Sequence, residues 1–361
     1  MSADADRCAR EVFEKFQDPV LGADLKPALG TPEISVSGRR VVLQLDLGFP
    51  ARRYGRRLAR DLSRQLEAVE GIDGAEVRFR SRIAPHQTQA NVERLASIKN
   101  IIAVSSAKGG VGKSTVASNL ALALVAEGAS VGMLDADIYG PSQPRMLGVS
   151  GRPDSLDGQA IEPMKSYGIE SISVGYLIDD DEPMIWRGPM VTRAMQQLLN
   201  DTRWSDLDYL IVDMPPGTGD IQLTLSQQVP VAGAVIVTTP QDIATLDARK
   251  GLQMFRKVNV PVLGIVENMS LHVCSNCGHQ EHIFGAGGGE RIAAEYGVPL
   301  LGSLPLDTSI GKHADNGCPS VVAEPDGDIA INFSEIALRM AAKLSLQADD
   351  YTHRMPKIVI R

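Results

Sequence analysis

Ala107-Lys108-Gly109-Gly110-Val111-Gly112-Lys113-Ser114-Thr115 is a glycine-rich turn between two apolar stretches. The run Ile101-Ile102-Ala103-Val104 before it predicts a buried strand, and Val116 to Glu127 after it predicts a helix closed by Gly128. Such a turn leaves backbone N–H groups pointing inward beside the positive end of the helix. Together they cradle phosphate oxygens. Gly112-Lys113-Ser114 fits the end of the phosphate-loop pattern G-x-x-x-x-G-K-[ST], while Ala107 stands where the first glycine is usual. In that pattern the lysine reaches the terminal phosphates and the serine hydroxyl goes to Mg²⁺. The expected nucleotide contacts are therefore Lys108, Gly109, Gly110, Val111, Gly112, Lys113, Ser114 and Thr115, with Ser114 also a metal ligand.

Further apolar runs recur downstream at Val131–Asp135, Tyr209–Asp213, Ala234–Thr238, Val262–Glu267 and Leu300–Leu304, with helical stretches between them. Continuous apolar runs suit strands covered on both faces, as in a parallel sheet. The expected fold is an α/β P-loop NTPase domain over 101–347, with a mostly parallel sheet flanked by helices. A small α+β domain precedes it over 1–82. There Cys8–Phe16 and Tyr54–Val69 have helical spacing, and Glu33–Val36, Val41–Leu47 and Ala75–Phe79 read as strands. Residues 83–100 read as a linker, carrying Pro85-His86-Gln87, and a short approach helix. Residues 348–361 form a C-terminal tail.

Composition narrows the function. A net charge of −8 disfavours a general grip on nucleic acid, although Arg52-Arg53…Arg56-Arg57 makes a local basic stripe. No run is long enough to span a bilayer, and the charged first residues carry no signal-peptide core. Four cysteines in 361 residues are no disulfide framework, so a cytoplasmic setting with reduced thiols is expected.

Two strand ends carry acids beside the phosphate loop. Val131–Leu134 runs into Asp135-Ala136-Asp137, and Tyr209-Leu210-Ile211-Val212 into Asp213 and then Met214-Pro215-Pro216-Gly217. The second is a Walker B pattern, which places a carboxylate for Mg²⁺ and its waters. The Pro-Pro-Gly turn, with Pro216 and Gly217, is suited to report the γ-phosphate through its backbone N–H groups. Later, Cys274-Ser275-Asn276-Cys277 lets two thiolates face one metal or cluster. Zinc with His279 and His282, a redox pair and an iron–sulfur cluster all fit that spacing. A [4Fe–4S] cluster takes four cysteines, and two chains meeting at a two-fold axis supply them.

The doubled lysine of KGGVGKST resembles the deviant P-loop group of septum-placement ATPases, DNA-partitioning ATPases, the nitrogenase iron protein and iron–sulfur carriers. With DADIYGPS, IVDMPPGTGD, ENMS and CSNC following in order, residues 95 to 345 resemble the Mrp/ApbC/Nbp35 family of iron–sulfur cluster carrier ATPases. Residues 5 to 82 resemble the small domain of MIP18-type assembly factors. The resemblance implies a homodimer that hydrolyses ATP slowly, holds a cluster between its chains and passes it from cluster donors to apo client proteins, without nucleic acid or membrane. It implies that Lys108 reaches the partner's nucleotide, that Asp137 activates water with Asp135 in support, and that Asn268 reads adenine. It also implies that Cys274 and Cys277 bind the cluster. A positioning ATPase and a nucleotide-driven electron donor are the rival readings. The first lacks its basic membrane helix here, and the second uses well-separated cysteines.

Overall fold

The computed structural model describes residues 2–89, 92–155, 158, 160–178, 188–274 and 276–350. A three-stranded sheet comes first, formed by β1 (Glu33–Ser37), β2 (Arg40–Leu47) and β3 (Gly74–Ser81). β1 runs antiparallel to β2, and β3 returns parallel to it after a crossover through the helix Arg52–Glu67. That helix buries Tyr54, Leu58, Leu62 and Leu66, every fourth residue, while β2 buries Val41, Leu43, Leu45 and Leu47, every second. The two periods bring one apolar stripe onto one apolar face. Gly55 permits the contact, since a Cβ there would lie 2.4 Å from the Phe79 ring.

The second sheet contains β4 (Ile98–Ser105), β5 (Val131–Asp135), β6 (Met164–Ser166), β7 (Ile169–Ser173), β8 (Leu207–Asp213), β9 (Val231–Thr238) and β10 (Val262–Glu267). A hairpin of β11 (His272–Val273) and β12 (Gln280–Glu281) leaves the sheet, which regains β13 (Leu300–Ser303) at its edge. The order is β13-β10-β9-β4-β8-β5-β7-β6. Every neighbouring pair is parallel except β6 and β7. The expected mostly parallel α/β sheet is thus met. β5 and β9 are buried throughout, as sheets covered on both faces require.

Two features depart from the sequence reading. β6 and β7 were not anticipated. Ile169-Glu170-Ser171-Ile172-Ser173 lacks an apolar run, yet all five residues are buried. Its polar side chains are spent on neighbours: Ser173 Oγ donates to Asp135 at 3.0 Å, and Glu170 accepts from Ser205 N at 3.0 Å. The expected approach helix within 83–100 is absent among the described residues. Residues 92–95 have no regular structure, 96–97 turn, and β4 already starts at Ile98. The side chains there satisfy the sheet and its surroundings instead. Asn100 accepts from His86 N at 3.0 Å, Gln89 donates to Ser226 O at 2.7 Å, and Arg94 donates to Lys99 O at 2.7 Å. The start of the expected tail is tied to the same segment, with Asp349 bridged to His86 and Asp350 N donating to Pro85 O at 2.8 Å. Residues 351–361 lie outside the described residues.

The two sheets share one apolar cluster. Leu29, Leu47 and Phe49 belong to it together with Phe333, Ala341 and Leu344 of the helix Asp328–Ser345. Polar contacts fix the orientation. Glu127, at the end of the helix Lys113–Ala126, accepts through Oε2 from Arg53 N at 2.8 Å and Tyr54 N at 3.1 Å. Its carbonyl accepts from Arg52 N at 3.0 Å. Arg339 donates to Val20 O at 2.6 Å and to Leu301 O at 2.8 Å. Among the described residues, no helix is long and apolar enough to cross a membrane.

Candidate functional site

The phosphate loop leaves β4 and turns through Gly110 (φ 81°) and Gly112 (φ 82°), which favour glycine. Gly112 is also needed for space, because a Cβ there would lie 2.3 Å from Asn268 Nδ2. Ser106 Oγ donates to Lys108 O at 2.9 Å and pins the loop from within. The helix Lys113–Ala126 starts without a side-chain cap, so its first N–H groups are open to an anion. Lys108, Gly109 and Gly110 are exposed, and Val111 is buried. Thr115 accepts at its carbonyl from Asn119 Nδ2 at 2.9 Å, which ties the first helical turn.

Three acids and one lysine meet at the carboxyl ends of β5 and β8. Asp135 and Asp213 are register partners on these neighbouring strands, and both are fully buried. Lys113, also buried, donates to Asp213 Oδ1, lies 3.2 Å from Ser114 Oγ and reaches Asp137 Oδ2 at 4.0 Å. Asp135 accepts from Ser142 N at 3.0 Å, Gln143 N at 3.1 Å, Asp137 N at 3.2 Å and Ser173 Oγ. Burial first, and the facing Asp213 carboxylate second, push the Asp135 carboxyl up to about 7. Burial also raises Asp137, against the pull of Lys113. Such buried acids cost several kcal/mol to hold together, and they cluster where chemistry needs charge.

Gln143 belongs to this centre and was not foreseen. Its Nε2 donates to Asp213 Oδ2 at 2.8 Å and to Ser114 O at 3.1 Å. The only signal was its place just after DADIYGPS. Ser142 Oγ, Gln143 Oε1 and Gln222 Oε1 are buried without hydrogen-bond partners. Orphaned oxygens next to two carboxylates and an uncapped helix suit a hydrated cation and a phosphate chain. The residues present therefore fit Mg²⁺ and a nucleoside triphosphate.

The Pro-Pro-Gly turn rests directly on this loop. Met214 N donates to Val104 O and Gly217 N to Ser106 O, each at 3.0 Å. Pro216 is exposed, and Gly217 takes a φ of 103°. Gln222 clasps the turn, donating to Pro215 O at 2.7 Å and to Ser105 Oγ at 2.8 Å. Asn268, at the end of β10, donates through Nδ2 to Val111 O at 2.9 Å and accepts from Met269 N at 2.9 Å. Both ends of its amide are engaged, one of them on the phosphate loop.

The loop that carries Asn268 leads into β11 and the cysteine pair. Cys274 N donates to His279 O at 2.9 Å, and Gly278 N donates to Cys274 O at 2.8 Å, closing a knuckle at the hairpin tip. Cys274 is half-buried and Cys277 exposed. Backbone N–H groups of Asn276 and Cys277 hold the Cys274 thiol below its usual range, which favours the thiolate that binds metal. Among the described residues, no three of His, Cys, Asp and Glu converge on a metal position. His282 Nδ1 lies 2.7 Å from Ser270 O instead. Cys274 and Cys277 thus stand as a bare pair within one chain. Cys8 and Cys318 are partly buried elsewhere.

The chain is similar to known proteins. A ParA-group profile described as the NUBPL iron-transfer P-loop NTPase matches residues 97–341. An iron-sulfur cluster carrier protein of Pseudomonas fragi is 58% identical over 279 residues, covering 77% of this chain and 97% of the relative. One from Escherichia coli K12 is 49% identical over 335 residues, covering 92% and 91%. Among solved structures, a nucleotide-binding protein from Archaeoglobus fulgidus in complex with ADP superposes with a TM-score of 0.57 at 37% identity. It covers 65% of this chain and 92% of that one.

Proposed function

Because the chain belongs to the NUBPL iron-transfer P-loop NTPase family, we propose that it carries an iron–sulfur cluster to apoproteins and couples that task to ATP binding and slow hydrolysis. One observation supports this most. A single loop after β10 places Asn268 against the phosphate loop and, six residues on, opens into a bare thiol pair. The nucleotide site and the cargo site are therefore joined by one short segment, residues 268–274.

Each residue then has a task. Lys108 to Thr115 cradle the phosphates through backbone N–H groups, and Lys113 leaves Asp213 to neutralise phosphate charge. Ser114 and Asp213 hold Mg²⁺, which supplies Lewis acidity and charge neutralisation when bound. Asp137 orients the attacking water, and Asp135 fixes the loop that carries it. Pro216 and Gly217 carry the phosphate state into the turn that Gln222 clasps. Asn268 exchanges its bond to Val111 O for the adenine edge, where an amide offers both a donor and an acceptor.

Cys274 and Cys277 supply two thiolates, half of the set for a [4Fe–4S] cargo. A second copy related by a two-fold axis supplies the rest. Lys108 is exposed, ready to reach the partner's nucleotide in that homodimer. Reduced thiols of this kind belong in the cytoplasm. Residues 1–82 form a docking unit for donors and clients on the ATPase domain. Cys274→Ala tests the reading: iron and sulfide loading is lost while ATP binding is kept. Normal loading by the variant would exclude the knuckle as the cargo site.

A further inference from the structure

The helix Arg52–Glu67 carries six arginines against two acids, Asp61 and Glu67, in a chain of net charge −8. Its apolar side packs on β3 and joins the apolar cluster that holds the buried leucines of β2. Arg53, Arg57, Arg60 and Arg64 follow at helical spacing on the other side, flanked by Arg52 and Arg56. Arg57 reaches Glu335 at 3.9 Å. Among the described residues, no carboxylate lies within ion-pairing distance of Arg52, Arg53, Arg56, Arg60 or Arg64.

Local stability does not ask for this pattern. The first turn of a helix favours acids, yet this one has none and begins with two arginines. Like charges four apart also repel. The Glu127 carboxylate relieves the backbone N–H groups of Arg53 and Tyr54 but leaves the guanidinium stripe in solvent. Glu335 answers Arg57 and Glu127 covers the first turn, but the exposed Arg56, Arg60 and Arg64 have no ion pair among the described residues, which leaves them to a partner outside the fold.

A notch of about 210 Å³ opens at the first turn, lined by Arg53, Tyr54, Arg57, Ile331 and Leu338, with the acids Glu127, Asp326 and Glu335 also on its walls. Ile331 is 41% exposed and gives it an apolar lip. The Tyr54 hydroxyl is buried beside Asp18 without a partner at hydrogen-bond geometry. The floor is shared by both sheets' units, since Tyr54 comes from one and Leu338 from the other.

We propose that this face docks an acidic helix of a protein that exchanges clusters with the chain, with carboxylates on the arginine stripe and one apolar side chain in the notch. This deepens the carrier reading and rests on it for the partner's role. The stripe from Arg53 to Arg64 is only about 16 Å long at 1.5 Å per residue. A helix of two to three turns matches it. A long polyanion or an anionic bilayer would extend past it onto a net acidic molecule.

The test uses the full chain and a labelled 16-residue helical peptide with glutamates at every fourth position and one leucine, followed by fluorescence anisotropy. Arg56→Glu with Arg60→Glu weakens binding about tenfold or more, and these exposed positions leave ATP turnover unchanged. Ile331→Ala, which changes no charge, weakens the leucine peptide but not its alanine version, a difference that unspecific charge attraction would not produce. Equal binding by wild type and the double variant overturns the proposal. So does tighter binding of duplex DNA or phosphatidylserine vesicles that the same substitutions abolish. The peptide needs no cluster, so failed iron loading would sink the carrier reading and leave this result standing.

Discussion

In the mechanism we propose, Lys113 is the residue on which the nucleotide chemistry turns. It is buried among Asp213, Asp137 and Ser114, so its ammonium is held at the mouth of the phosphate loop before any nucleotide arrives. Lys113→Ala lowers ATP turnover about a hundredfold or more, because charge stabilisation at the transferring phosphoryl is lost. Steady-state phosphate release measures this, and wild-type turnover would remove Lys113 from the site. Gly112 gives a second, geometric prediction. Gly112→Ala combines a strained φ of 82° with a Cβ 2.3 Å from Asn268 Nδ2. ATP affinity falls at least tenfold in equilibrium binding, while the circular dichroism of the fold is retained. The glycine pattern was legible in the sequence because phosphate binding demands backbone of a special kind. Gln143 was not, because its amide meets Asp213 only after the chain has travelled 70 residues between them.

At the scale of elements, strands with continuous apolar runs were readable and those with mixed content were not. β9 announces itself through Ala234-Val235-Ile236-Val237-Thr238, although the strand begins three residues earlier, at Val231. β7 hides behind Glu170, Ser171 and Ser173, whose burial depends on partners from distant segments. The failed approach helix has the same origin, since Gln89 is tied to Ser226 O in the helix Asp220–Gln228 and to Val231 N of β9, partners that local sequence cannot reveal. The joint between helices at Glu127 is tertiary in the same sense, and it is testable. Burial raises the Glu127 carboxyl, opposed by the bonds from Tyr54 and Arg53. A carboxyl raised on folding binds its proton more tightly in the native state. Stability from this group is therefore full at low pH and falls as pH climbs from the unfolded carboxylate range to the raised native value. Glu127→Gln keeps an acceptor and removes the charge, so its thermal melts lose that decline as pH rises above the ordinary carboxylate range. Glu127→Ala strands the buried Tyr54 N–H and the partly buried Arg53 N–H and costs about 1–3 kcal/mol. An alanine variant as stable as wild type would show that the joint contributes nothing.

The whole molecule is organised so that one loop after β10 serves both the phosphate loop and the thiol knuckle. We propose that the knuckle supplies two of the four thiols the cargo takes, that the exposed Lys108 serves a partner's nucleotide, and that dimer assembly with ATP completes both sites. Lys108→Ala keeps ATP affinity but loses the ATP-dependent rise in turnover with protein concentration, as seen in initial rates across a dilution series. Unchanged concentration dependence would separate Lys108 from the partner's nucleotide.

The most direct test is anaerobic reconstitution with iron and sulfide, followed by metal and sulfide analysis and native mass on the same sample. The account predicts a dimer with about four iron and four sulfide per two chains, all lost in Cys274→Ala. A monomer that binds the same iron, or a Cys274→Ala chain that loads normally, would contradict it.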